Sequence, residues 1–264
     1  MRFFYKNNAL NHIIWINIFV FLIMRLLIQK KYITPEAESF YFLASSTKID
    51  IILQNPWTLL TQIFTHINPD HILSNMIVLY FFGNIFLKYF NNRQFLYTYM
   101  LGGLCSFICL IIFDDFIEWN YGASGATYAI MFATTAFVPN YSLKVYKNLF
   151  IQIKYITIFL IILSIILYPQ NIQAHITHIG GGCYGLLYIY LLKVKKGSMI
   201  KKIFSFLSIF SNKNEKKIKS ENDYEYNERK QYEERKLNQV LDKISKSGYS
   251  SLSKKEKEIL ERNN

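Results

Sequence analysis

The chain has 264 residues, 52% of them hydrophobic and 17% aromatic, and carries 30 Lys and Arg against 18 Asp and Glu, a formal charge of +12. A soluble domain of this length can bury a good core, so the distribution of apolar residues, not their number, sets the class. They come in long runs before about residue 193 and nearly vanish after about 211, and the basic residues flank those runs or lie in the polar tail. That pattern argues against nucleic-acid binding and for membrane topology with attraction to anionic lipid headgroups.

A helix needs about 20 mostly apolar residues to cross a bilayer core. The N-terminus has a short basic start and then an apolar run with no small-x-small cleavage site, so it reads as a first span, Ile13 to Ile28, and not as a cleaved signal peptide. The long segment from Gln29 to Asp70 is partly apolar. Tyr41 to Leu43, Ile51 to Leu53 and Trp57 fit interfacial helices on the outer leaflet, with a plain extracellular loop as the alternative. Five more spans follow, at His71 to Leu87, Phe95 to Phe113, Ala123 to Pro139, Ile151 to Tyr168 and Ile172 to Leu192. The first and fourth are short, and the fourth and sixth are rich in small residues.

Loop charge gives the orientation. Arg2 and Lys6, Lys88 and Arg93, Lys144 and Lys147, and Lys193, Lys195 and Lys196 fall on one side; Asp114, Asp115, Glu118 and the uncharged Pro169 to Gln173 fall on the other. The long first outer loop mixes Lys30, Lys31 and Lys48 with Glu36, Glu38, Asp50 and Asp70, and long loops weigh less. The expected fold is therefore an all-α integral membrane bundle of six transmembrane helices with both termini cytoplasmic. The membrane domain covers residues 1–196, a flexible charged cytoplasmic linker 197–236, and a small helical tail 237–264. In that tail Val240, Leu241 and Ile244 make an apolar face, Ser247-Gly248 is a stop, and Ser253-x-x-Glu256 fits a capping box, so a small helix-turn-helix piece is expected. Cys105, Cys109 and Cys183 lie in apolar segments with neither a disulfide framework nor zinc-ribbon spacing, and read as small buried apolar residues.

Three pieces carry chemistry: His66-Ile-Asn-Pro-Asp-His71-Ile-Leu-Ser-Asn75, Gly122-Ala-Ser124-Gly125-Ala126, and His175-Ile-Thr-His178-Ile-Gly180-Gly181-Gly182-x-x-Gly185. The charge-derived topology puts all three in the outer half of the membrane, where polar groups are costly unless partnered or facing a watery cavity. Gly181-x-x-x-Gly185 and Gly125-x-x-x-Ala129 are small-x-x-x-small patterns that let helix backbones approach. His178, Gly181 and Gly185 share one face, so the sixth helix can press that face on the segment bearing Ser124. A serine hydroxyl needs a base within hydrogen-bond reach, and neutral imidazole suits that role. His71 and Asn75, four residues apart, project from one face and can donate to an oxyanion. A soluble-hydrolase elbow, Gly-x-Ser-x-Gly after a strand, is absent; here the serine opens a membrane helix. Zinc is the chemical rival, with His66, His71, His175 and His178 as ligands, but no HExxH occurs and no carboxylate completes a set in these motifs. His12 reads as structural.

These motifs resemble the rhomboid family of intramembrane serine proteases over roughly residues 10 to 193. The resemblance rests on His71-x-x-x-Asn75, Gly-Ala-Ser124-Gly, and Thr-His178-Ile-Gly-Gly, and on the stretch from Pro56 to Gly83. It implies a six-helix rhomboid bundle, Ser124 as nucleophile, His178 as general base without an Asp, and His71 and Asn75 at the oxyanion site. His175 is a second candidate base, and His66 is support. It further implies a multi-pass protein of the cell membrane (bacterial inner membrane) that cleaves single-span membrane proteins near the outer face, with transmembrane substrates and membrane lipids as partners and no cofactor or metal. The Trp-Arg pair common in the first outer loop of relatives is missing here. The tail resembles an extension of some bacterial rhomboids. A non-catalytic rhomboid-like protein that binds membrane helices is the runner-up. A transporter or channel would call for intramembrane carboxylates or an inverted repeat, and neither is present.

Overall fold

A chain in hydrocarbon must satisfy every backbone N–H and C=O internally, so long apolar stretches become helices. A computed structural model of the chain describes residues 8–30, 42–113, 119–146, 149–194 and 223–262. Each of the six expected spans contains a helix: α1 (Asn8–Gln29), α4 (Pro69–Tyr89), α5 (Asn92–Phe113), α6 (Ser124–Phe137), α7 (Ile153–Leu167) and α8 (Ile172–Val194). Among these α1, α4 and α5 are long and apolar enough to cross a membrane, and α7 is a shorter apolar helix. Two short helices, α2 (Ile49–Gln54) and α3 (Thr58–Thr61), precede α4, and a single 3₁₀ turn over Gln62–Phe64 follows α3. The helical turn over Ile51 to Leu53 matches the expected apolar piece; residue 41 lies outside the described residues. The charged positions 2, 6, 31, 36, 38, 114, 115, 118, 147, 195 and 196 also lie outside them.

The outer faces are apolar. Trp15, Phe19 and Leu26 on α1 and Phe159, Ile162 and Ile166 on α7 are all at least half exposed. Such continuous apolar surface suits lipid and is unfavourable in water. The interior is held by small residues around α6. Gly102 of α5 faces Ala129, and Ser106 of α5 faces Gly125. On the other side Gly181 of α8 lies against the Gly125 backbone, and Gly185 against the backbone of Ala129 and Ala133. The two small-x-x-x-small patterns therefore meet each other, and α6 is clasped between α5 and α8 with hardly a side chain between the backbones.

The expectation of an all-α chain needs one correction. Ser142–Tyr146 (β1) and Leu149–Gln152 (β2) form a two-stranded antiparallel ribbon, with Ser142 opposite Gln152 and Leu143 opposite Ile151. Val145, Tyr146, Phe150 and Ile151 are β-branched or aromatic, types that suit a pleated strand. The ribbon takes Ile151, and α7 starts at Ile153.

The chain divides into two compact units, Met1–Leu87 with Asn91–Leu191, and Lys88–Phe90 with Leu192–Asn264. In the second, α9 (Asp223–Ser247) and α10 (Lys254–Arg262) pack on each other. Residues 223–236, expected in the linker, are helical. Within them Arg229 and Glu233 pair at 2.8 Å, one helical turn apart. Gly248 has φ +74°, a conformation that stops α9 and that side chains resist. The capping box forms: the Ser253 N–H donates to Glu256 at 2.7 Å, and the Glu256 N–H to the Ser253 hydroxyl at 3.4 Å. Val240 and Leu252 are buried, whereas Leu241 is exposed, because successive helical residues point about 100° apart.

Candidate active site

Ser124 is the first residue of α6, and the segment leading into it is held at several points. Ser45 and Asn120 exchange backbone hydrogen bonds of 3.0 and 2.7 Å. The Gly122 N–H donates to the Gln62 carbonyl at 2.9 Å, and the Asn120 side chain bonds that of Gln62. The Ala123 N–H donates to His66 Nε2 at 3.2 Å. Gly122 has φ +124°, and a Cβ there would lie 2.7 Å from His71 Cε1. Only glycine lets the chain turn into α6 against that imidazole.

Ser124, His178, His71 and Asn75 line one cavity of about 380 Å³, together with Tyr128 and Ser164. Among the described residues no hydrogen bond joins Ser124 to His178; the two share the cavity wall. The His178 ring stacks on Tyr128 with centroids 3.9 Å apart and planes at 10°. His178 Nδ1 lies 3.4 Å from Ser164 Oγ. Asn75 donates one amide N–H to the His71 carbonyl at 2.8 Å, which leaves its second N–H for another acceptor. The four residues thus bring a hydroxyl, an imidazole and side-chain donors to one concave site, the set that acyl transfer requires.

The other histidines are engaged elsewhere. His66 is fully buried and accepts from Ala123, which gives it the supporting position expected. His175 Nε2 lies 3.0 Å from the Tyr168 carbonyl oxygen and lines a neighbouring apolar cavity of about 180 Å³, not the one that holds Ser124. Of the two candidate bases, His178 is the one that shares a cavity with Ser124. Among the described residues no three His, Cys, Asp or Glu side chains are grouped as a metal site would need.

Residues 53–195 match the rhomboid domain family. The chain belongs to the rhomboid family. It is similar to "RHOMBOID-like protein 12, mitochondrial" of Arabidopsis thaliana, at 32% identity over 162 residues, covering 53% of this chain and 47% of the relative. The chain thus spans about half the length of that curated relative. Residues 221–264 match a second family, described as of unknown function (DUF6576), so the rhomboid domain is followed by a helical piece that recurs in other proteins.

The two side chains that meet His178, Tyr128 and Ser164, belong to none of the sequence motifs. Tyr128 carried a signal, since it lies four residues from Ser124 and so on the same helical face. Ser164 carried none beyond being a hydroxyl within the apolar run of α7.

Proposed function

We propose that this rhomboid is an intramembrane serine endopeptidase that cleaves single-span membrane proteins near the outer side of the membrane. Ser124 is the nucleophile and His178 the general base. Ser124 Oγ attacks the scissile carbonyl as the imidazole takes its proton, His178 returns the proton to the leaving amine, and water then resolves the acyl-enzyme. His71, the free N–H of Asn75 and a backbone N–H near Ser124 steady the oxyanion. The observation that carries the reading is the shared cavity: His71 and Asn75, Ser124, and His178, from three sequence-distant helices, converge on one hollow within the bundle. In this reading six helices span the membrane, both termini are cytoplasmic, and the tail from residue 223 is a cytoplasmic helical module. The protein resides in a cell membrane as a multi-pass protein, with transmembrane substrates and lipids as its partners. Substrate helices must unwind at the site to present a carbonyl, so helix-weakening residues mark good substrates.

The test is cleavage of a single-span reporter in liposomes by wild type, Ser124→Ala and His178→Ala, with fluorophosphonate labelling alongside. The expected result is cutting and labelling by wild type alone. Equal cutting by all three removes these residues from the chemistry. Absence of both cutting and labelling in wild type supports a helix-binding rhomboid without catalysis.

A further inference from the structure

An imidazole that serves as base must present the correct nitrogen. In soluble serine hydrolases a carboxylate on the other nitrogen holds the tautomer and orientation. The carboxylate on this cavity wall, Asp70, adjoins His71 in the chain and is not a hydrogen-bond partner of His178. Tyr128 fixes the plane of the His178 ring by stacking. Stacking is blind to a half-turn about the Cβ–Cγ bond, which keeps the plane but exchanges Nδ1 with a carbon. Something directional must break that symmetry.

Ser164 is placed to do so. Helical serines and threonines often bond the carbonyl four residues back, as Thr134 and Thr135 do to Ile130 and Met131 at 2.6 and 2.9 Å. Ser164 instead meets His178 Nδ1. A hydroxyl has one O–H and two lone pairs, so Ser164 can accept from Nδ1–H.

We propose that Ser164 is the positioning residue of this site: it accepts the Nδ1–H of His178, selects one of two ring orientations, and leaves Nε2 as the nitrogen that takes the proton of Ser124. This deepens the protease reading and rests on it. No bond to substrate is involved. At 3.4 Å the hydrogen bond is long, and it tightens when the ring becomes imidazolium, since charge-assisted bonds are shorter and stronger. Its effect therefore falls on the chemical step and not on substrate binding.

The experiment measures kcat and KM for a single-span reporter in liposomes, using the full chain, for wild type, Ser164→Ala and Ser164→Thr. Rates of fluorophosphonate labelling at Ser124 are read in parallel. Ser164→Ala is expected to lower kcat and labelling about threefold to tenfold, the scale of one hydrogen bond in the transition state, with KM unchanged. Ser164→Thr, which keeps the hydroxyl, recovers most of the loss. Wild-type kcat in Ser164→Ala overturns the proposal, as does a rise in KM alone. So does a Thr variant as slow as Ala at an unchanged melting temperature. In each of these cases wild type still cuts, so the protease reading stands. A wild type that neither cuts nor labels removes both together. If Ser164→Ala does not fold, Ser164→Cys, with its weakly accepting sulfur, replaces it under the same expectations.

Discussion

Adjacent glycines on α8 offer a test in which one methyl group does opposite things. A Cβ at residue 181 would meet the carbonyl oxygen of Gly125 and lie 2.8 Å from its carbonyl carbon and 3.1 Å from its Cα. Carbon atoms rest about 3.5 to 4.0 Å apart, so Gly181→Ala pushes α8 off α6 by roughly 0.7 to 1.2 Å. The obstacle is backbone, which no rotamer change can remove. Overpacking of this kind costs about 1–3 kcal/mol. The larger effect is on geometry, because His178 stands one helical turn before Gly181 and Ser124 stands next to Gly125. A misplacement of about 1 Å between reacting groups is worth on the order of a hundredfold in rate. At residue 182 the atoms nearest the same methyl belong to the Phe132 ring, at 3.3 Å, and a ring can tilt. Gly182→Ala also gains helix propensity, about 1 kcal/mol. Melting in detergent micelles together with reporter cleavage should show Gly181→Ala less stable and about a hundredfold slower, and Gly182→Ala near wild type in both. Equal tolerance of the two substitutions would mean that α6 and α8 do not touch backbone to backbone.

Two further outcomes are expected. His66→Ala leaves the buried Ala123 N–H without an acceptor, a loss of about 1–3 kcal/mol that thermal melts should detect, along with slower labelling of Ser124; His66→Gln, which offers an amide oxygen, should recover part of both. In the tail, the Ser253 N–H, then the Lys243 ammonium and the Ser253 hydroxyl hold the Glu256 carboxyl down at about 2 from its ordinary 4.5. A depressed carboxyl supports the fold most above pH 4.5, and that support drains away as pH falls toward 2. An NMR titration of the Ser253 amide in the labelled full chain should show this acid transition, and Glu256→Gln should abolish it.

Much of this architecture was legible because its signals are local. Long apolar runs marked six helices, the i, i+4 spacing of small residues marked the seam where Gly125 meets Gly181 and Ala129 meets Gly185, and Ser253-x-x-Glu256 marked a helix start that forms as read. What stayed hidden depends on other kinds of information. The ribbon of Ser142–Gln152 abuts an apolar span, so its short alternation merged into the helix signal. The first turns of α9 have no apolar period in the sequence. Leu241 belongs by type to the apolar face with Val240 and Ile244, yet it stands exposed beside buried Val240. Tyr128 and Ser164 join His178 only through tertiary packing of α6, α7 and α8, which no spacing within one helix encodes.

The clasp on the segment before Ser124 bears on the order of events during folding. Helices and their nearest neighbours form from contacts close in sequence, but the bonds from Ala123 to His66 and from Asn120 to Gln62 close loops of 57 and 58 residues. Such closures carry an entropy cost that local contacts do not, and they come late. Residues 45–66 are synthesised first and wait for their partners until α5 is complete and α6 begins. The expected order is helices first and the site last. In a refolding experiment, circular dichroism should recover before Ser124 becomes reactive.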